Sequence, residues 1–573
     1  MWDAVVVGGG VGGCYLARRL LDRSDAVRRP PRTALFEASD RLGGRLWSAP
    51  LPGMPGPVAE FGGMRFDGGE HHVVDLVEHL GLRTDAAPFF FDRPENLVHA
   101  RGVRLRRREL RDPAAPVPYR LAPGERGLTG GELSLLVARR VLPEFSALRD
   151  AYDRAAVRGD GRTAASAVAR YRVARRDARW RGLRLHEVPW ALLLDTVLTR
   201  EAAALLHDTG GYNSRSSAGS VAGTLDEMFQ GAPPGGHLRL RHGFQQVPLA
   251  LGERFAAAGG DIFLGHRLTG VDRAGERDGE PLYRLRFVRT DAAGAAGQLV
   301  HVLARTVVLA LPNRAVELLR PGVLPVDEGP FRSGFAASRA VPAMKLFLGY
   351  PSSWWLGSGV SEGRGTTDLP LRQFWYWATG PGSGGAPGTM LAAYANGSAV
   401  DQWADLASGP PYPDGGLRRR TGARPGGGWG PEPGVGSGSG PRMGPGVGSG
   451  PGVASRLQVE RAHAMLLDVH GIADAPPPVS ARWQHWSVEE HGGAWPVWRP
   501  GHDLEEVIPV MRRPLPGEPV YWVNDAWTLR PGSVEGVLAA AEHVLQGPLR
   551  RARPSWLRAS AAQGWELPEH DGV

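Results

Sequence analysis

The chain opens on an unbroken apolar run. Residues 4–8 (Ala-Val-Val-Val-Gly) show none of the alternation of a half-exposed strand, so they predict a strand buried on both faces. Residues 11–22 carry helical character, and Thr33-Ala-Leu-Phe-Glu37 predicts a second buried strand, which makes the opening a βαβ unit. From about 130 to 235 the pattern is helical, with arginine-rich faces around 154–182 and an apolar run over 188–194. Strand and helix signals return between 236 and 312 and end in Thr306-Val-Val-Leu-Ala-Leu-Pro312. A further strand is predicted over 519–523 and a helix over about 533–546.

Between these elements, residues 409–453 are almost pure Gly, Pro, Ser and Arg. Such a stretch buries too little apolar surface to offset its ordering entropy, and it predicts a disordered surface loop inserted into a folded unit. At 573 residues the chain is long enough for two or three packed units.

Charge and cysteine usage narrow the class. The net charge is +8, yet the basic residues are scattered apart from 104–108 and 418–420, and no nucleic-acid motif accompanies either cluster. Nucleic acid is therefore not an expected partner. No apolar run reaches the ~18 residues of a membrane span, and no basic n-region precedes the first strand. The expectation is a cytoplasmic protein with no membrane partner. The single cysteine, Cys14, permits no intrachain disulfide and no cysteine metal cluster, so no metal is expected.

The chemistry begins at Gly8-Gly-Gly10-Val-Gly-Gly13. Here the G-x-G-x-x-G spacing follows a buried strand and opens a helix, and an acid, Glu37, ends the next strand. Gly8 permits a tight turn, Gly10 lets the backbone approach a pyrophosphate, and Gly13 allows close helix–strand packing. The helix N-terminus then offers N–H groups and the positive end of its dipole to an anion. Glu37 is the expected partner of the adenosine ribose hydroxyls. Soon afterwards Arg41-Leu-Gly-Gly-Arg45 places two more glycines and a phosphate-pairing guanidinium, Arg45.

With this second glycine motif the chain resembles the FAD-dependent amine oxidase superfamily, and in motif the L-amino acid oxidases most of all. Glu60-Phe-Gly-Gly-Met-Arg-Phe66 is similar to the segment that those enzymes run beneath the flavin. The resemblance makes Gly63 and Met64 cofactor contacts and Arg65 the clamp of the substrate carboxylate. A planar guanidinium suits that task, since two parallel charge-assisted bonds fix orientation as well as affinity. His242-Gly-Phe-Gln-Gln-Val-Pro248 is similar to the entry of the second cofactor-binding stretch, and Val271 matches the valine whose backbone meets the adenine.

Further matches run along the chain. Thr366-Thr-Asp-Leu-Pro-Leu-Arg372, followed by Gln-Phe-Trp-Tyr-Trp377, implies Tyr376 as a second carboxylate contact. Lys345 matches the lysine that holds a water near flavin N5. It is also the only lysine among 67 Lys and Arg, in an apolar run where a compact, tunable ammonium stands out. His491-Gly-Gly-Ala-Trp495 resembles the segment passing the reactive face of the flavin. It implies Trp495 as an aromatic wall and Trp486 as a packing residue. Ala494 replaces the cysteine of covalent relatives, so non-covalent FAD is expected. Val523-Asn-Asp-Ala526 and Gly532-Ser-Val-Glu-Gly536 imply Asp525 at the ribityl chain and the Val534 N–H at flavin O2. Ser533 departs from the family, which places an aromatic cage residue there.

The resemblance implies an α/β fold, α+β overall. A discontinuous Rossmann-type FAD-binding domain (1–70, 236–340, 500–550) would carry a mixed-sheet substrate domain (71–129, 341–499) and a helical insertion (130–235). The implied reaction is oxidation of an L-α-amino acid to its imino or 2-oxo acid, with hydride transfer to flavin N5 and reduction of O2 to hydrogen peroxide. The small-molecule amino acid or amine and O2 are the expected partners, and a homodimer is expected by analogy alone. The alternatives left open are an amine oxidase without a carboxylate requirement, a decarboxylating monooxygenase, and a flavin-binding paralogue without turnover.

Overall fold

The computed structural model describes residues 1–22, 31–212, 219–231, 236–290, 296–319, 322, 324–325, 329–382, 384–414, 451–487 and 492–558. Most of the Gly/Pro stretch, 415–450, and His491 lie outside the described residues.

The opening run forms β1 (Trp2–Val7), followed by α1 (Val11–Leu20) and β2 (Thr33–Phe36). β1 pairs in parallel with β2 on one side and with Ala296–Leu309 on the other. The full sheet runs Asp261–Phe263, β2, β1, Ala296–Leu309, Glu280–Thr290, His266–Arg277, and Val520–Trp522 pairs in parallel with Ala296–Leu309. Val5 and Val6 are fully buried on opposite faces of β1 and belong to two different apolar clusters, one on each side of the sheet. This explains the missing alternation, because a central strand of a doubly covered sheet has no wet face. α1, α2 (His71–His79), Gln246–Ala257 and α3 (Val534–Gln546) cover one side.

A second sheet has eight strands. It contains β3 (Ala343–Tyr350), β4 (Gln373–Ala378) and β5 (Gly388–Asn396) in the spatial order β3, β5, β4. Arg364–Thr367, Leu97–Ala100 and Val103–Arg106 extend it beyond β4, and Ser480–His485 and Gly452–Val453 extend it beyond β3. Helices Ala399–Leu406 and Arg456–His470 close one face, around an apolar cluster containing Tyr376. The other face carries Phe347, Trp375 and Trp377 and packs on Phe61, Met64 and Phe89. That face looks back towards the first sheet and holds the site. Among the described residues, six helices between Gly130 and Gln230 surround their own cluster of buried side chains. Among the described residues no helix is long and apolar enough to cross a membrane.

Candidate active site

The two glycine motifs build one cradle. A Cβ on Gly13 would lie 1.8 Å from the Gly8 carbonyl oxygen, so α1 packs on the β1 turn as only glycine allows. A Cβ on Gly10, in contrast, would meet nothing within 4 Å. Gly10 pairs with Gly43 in an isolated parallel bridge, and the Gly43 N–H donates to the Gly9 carbonyl at 2.8 Å. The N-terminus of α1 has no side-chain cap and no acid in its first turn. Open space, uncapped N–H groups and the helix dipole together suit an anion. The Arg41 guanidinium reaches the Gly44 carbonyl at 2.9 Å, while its buried Nη1 has no partner among the described residues. Glu37 closes the cradle. It accepts from the Gly9 N–H at 2.6 Å and from the N–H and hydroxyl of Ser39 at 2.8 and 2.7 Å.

Beyond the cradle, the 60–66 segment crosses from the first sheet to the second. The Gly63 N–H donates to the Arg45 carbonyl at 2.9 Å, and a Cβ on Gly62 would lie 1.8 Å from that oxygen. Lys345 stands in β3 and is buried. Its Nζ donates to the carbonyls of Glu60 (3.0 Å) and Gly62 (2.5 Å) and lies 4.9 Å from the centroid of Tyr394, its register partner on β5. Burial lowers the ammonium to about 7. The neighbouring Glu60 carboxylate opposes that shift, and the positive charge of Arg65 adds to it. Glu60 is itself raised to about 7, again by burial, although it accepts from the Phe244 N–H and the Ser48 hydroxyl.

Arg65 lies at the other end of the 60–66 segment, near enough for its charge to act on Lys345. Its guanidinium lies 5.0 Å from the Phe91 centroid and donates through Nη1 to Asp67 at 2.8 Å, with His237 Nδ1 2.9 Å from the same nitrogen. Nε and Nη2 have no protein partner among the described residues. Asp67 also takes a hydrogen bond from His237 and lies 3.6 Å from Arg530, which pairs with Glu70 at 3.0 Å. Burial raises Glu70 to about 7, against the pull of Arg530. The aromatic wall consists of Trp495, Tyr394 and Tyr212, edge to face, with Tyr212 at 5.6 Å from Tyr394 and 6.0 Å from Trp495.

These features, a dinucleotide cradle continuous with a buried lysine and an aromatic wall, accompany a match of residues 12–418 to the sequence model described as flavin containing amine oxidoreductase. The chain belongs to that family. It is similar to Aplysianin-A of Aplysia kurodai, with 25% identity over 95% of this chain and 89% of the relative. It is also similar to an L-amino-acid oxidase of Bungarus fasciatus, with 24% identity over 65% of this chain and 62% of the relative. In fold it resembles putrescine oxidase solved with putrescine bound, with a TM-score of 0.59, 17% identity, and coverage of 96% of this chain and 99% of that one.

As a flavin amine oxidoreductase the protein binds FAD, and the cradle fits it. Gly10 leaves room where a side chain would intrude, and α1 and Arg41 offer unsatisfied donors to a pyrophosphate. Sequence reasoning quoted Arg41 only as part of a motif; its orphaned Nη1 marks it as a phosphate partner. Arg45 and Asp525 come together differently from the expectation. They form an ion pair with each other, and Arg45 also donates to the Ala494 carbonyl at 2.9 Å. The pair ties the second glycine turn to the C-terminal segment. Val271 lies in His266–Arg277, which passes Glu37 through the His266 N–H at 2.8 Å. Val534 begins α3, and its loop is held by the Gly532 N–H on the Asp525 carbonyl at 3.0 Å. Among the described residues no cluster of three or more His, Cys, Asp or Glu could hold a metal.

One expectation needs correction, and the partners of three other residues define their places. Tyr376 does not face the site. On β4, residues 375 and 377 point to the site and 376 to the helices behind, where its hydroxyl meets His470 Nε2 at 3.0 Å. Ser533 is the N-cap of α3: its Oγ accepts from the Gly536 N–H at 2.9 Å and donates to the Arg530 carbonyl at 2.8 Å. The residue marks a helix start, and the wall comes from Trp495, Tyr394 and Tyr212. The Met64 side chain is committed to the aromatic cluster, so it offers a cofactor its backbone. Trp486 is buried and donates from Nε1 to the Phe61 carbonyl at 2.7 Å, bracing the 60–66 segment from behind. No motif pointed to Tyr212, Tyr394, His237 or Asp67. Tyr394 could have been found only by pairing its strand with that of Lys345.

Proposed function

We propose that the protein oxidises an L-α-amino acid to its imino acid, with O2 as electron acceptor and hydrogen peroxide as the second product. The observation that carries this reading is Arg65: a guanidinium held by one nitrogen, with its other edge open, at the site and close to Lys345. Such a fork takes a carboxylate in two parallel bonds. The similarity to an L-amino-acid oxidase supports it.

FAD, held by the Gly10 turn, the N-terminus of α1 and Arg41, would supply the hydride-accepting chemistry. The chain supplies the rest. Arg65 fixes the carboxylate, and with it the direction of the Cα–H bond. Trp495, Tyr394 and Tyr212 flank the amine and exclude water. Lys345, with two of its N–H groups on carbonyls, has a third donor with which to hold a water. Holding both reactants in one geometry supplies much of the rate.

A second reading draws on the same ion pair. Asp67 offsets part of the Arg65 charge, which suits an amine without a carboxylate, and the fold is shared with putrescine oxidase. Anaerobic titration of the holoprotein with the L-amino acids and their matched amines separates the two. The amino-acid reading expects bleaching of the flavin absorbance by at least one amino acid and not by its decarboxylated counterpart. Bleaching by amines alone sinks it.

A further inference from the structure

Correcting Tyr376 leaves the carboxylate with one anchor, and the site face of β4 supplies a candidate for the second. Trp375 is 2% exposed, and its ring spans the gap between the two ends of the site. It lies 5.5 Å from Phe91, on which Arg65 rests, and 6.0 Å from Tyr394, on which Lys345 rests. Its indole Nε1–H is buried with no acceptor among the described residues. Two residues earlier on the same face, Gln373 repeats the pattern. Its Oε1 accepts from Arg364 at 3.1 Å, which directs the amide NH2 away from Arg364, and that Nε2 is also buried without a partner. Arg364 is occupied by Asp92.

A buried donor with no acceptor costs free energy, and native chains rarely leave one without cause. Here two fall on one strand face, a wall with two unpaired donors among the described residues. Such a wall suits an anionic oxygen. We infer that Trp375 is a specificity-determining residue that donates its indole N–H to the substrate carboxylate held by Arg65, with Gln373 behind it. The inference rests on the amino-acid reading above.

The oxidised holoprotein is titrated with benzoate and with benzylamine, and binding is read from the flavin absorbance. Trp375→Phe keeps an aromatic side chain and removes the donor. It should raise the benzoate Kd roughly ten- to a hundredfold, the range of a lost hydrogen bond to a charged group, and leave the benzylamine Kd within about twofold. Trp375→His restores a ring N–H and should recover part of the benzoate affinity. KM for the best L-amino acid should rise in the Phe variant more than kcat falls. Equal changes for the two ligands, or none, overturn the inference while the amino-acid reading stands. Wild-type protein that binds benzylamine and not benzoate overturns that reading and the inference with it.

Discussion

Arg65 and His237 converge on a single carboxylate oxygen of Asp67, the arginine at 2.8 Å. Asp67 thereby competes with any substrate carboxylate for the guanidinium while holding it in place. Although burial would raise its carboxyl, the hydrogen bond from His237 and the charges of Arg65, His237 and Arg530 keep it below its ordinary value. We expect Asp67→Asn to tighten carboxylate binding about tenfold and to cost on the order of 3 kcal/mol of stability, since Arg65 and Arg530 lose their shared anion. Benzoate titration and thermal unfolding check both. Weaker benzoate binding would mean that positioning by Asp67 outweighs competition.

The glycines make a paired prediction. Gly10 has backbone angles open to any residue and empty space around its Cβ. Gly10→Ala should therefore fold normally and lose FAD, because the cofactor needs that space. Gly13→Ala drives a methyl into the Gly8 carbonyl and should fail at folding itself. Circular dichroism and flavin content distinguish the two, and a Gly10→Ala protein that retains full FAD would show that the pyrophosphate lies elsewhere.

Lys345 sets a pH dependence. Burial lowers its ammonium to about 7, so the charge is present below that pH and lost above it. If the charge assists O2 at the flavin, reoxidation slows as pH rises through about 7. Lys345→Met should be slower by on the order of 10²-fold and flat with pH. Stopped-flow reoxidation decides, and a variant with the wild-type profile would remove the lysine from that half-reaction.

Ser533 is assigned to the helix start, and its loss should read out in stability. Ser533→Ala removes the cap from the Gly536 N–H and should cost about 1 kcal/mol with little change in KM. A large KM change with unaltered thermal stability would return Ser533 to the substrate pocket.

What could be read from the sequence depended on how locally each feature is encoded. The βαβ opening, its glycines and Glu37 lie within forty residues, and each has a steric reason to be what it is. Lys345 was visible because one lysine stands alone in an apolar strand. The facing of Tyr376 was hidden because β4 carries aromatic side chains on both faces, and a strand without alternation does not show which side meets the site. Ser533 was read by comparison with a family position, although serine three residues before a helical glycine already spells a cap. Asp67 with His237, and Tyr212 with Tyr394, come from segments about 170 or more residues apart, an approximate separation only the fold can close.

The central claim, that Arg65 selects substrates by their carboxylate, is tested most directly by anaerobic flavin reduction in Arg65→Ala beside the wild type. FAD content should be equal in the two proteins. The account predicts that the substrate dissociation constant for the best L-amino acid rises by about a hundredfold, as expected for a lost bidentate contact, while binding of its matched amine is unchanged. An unaltered dissociation constant for the amino acid would contradict it.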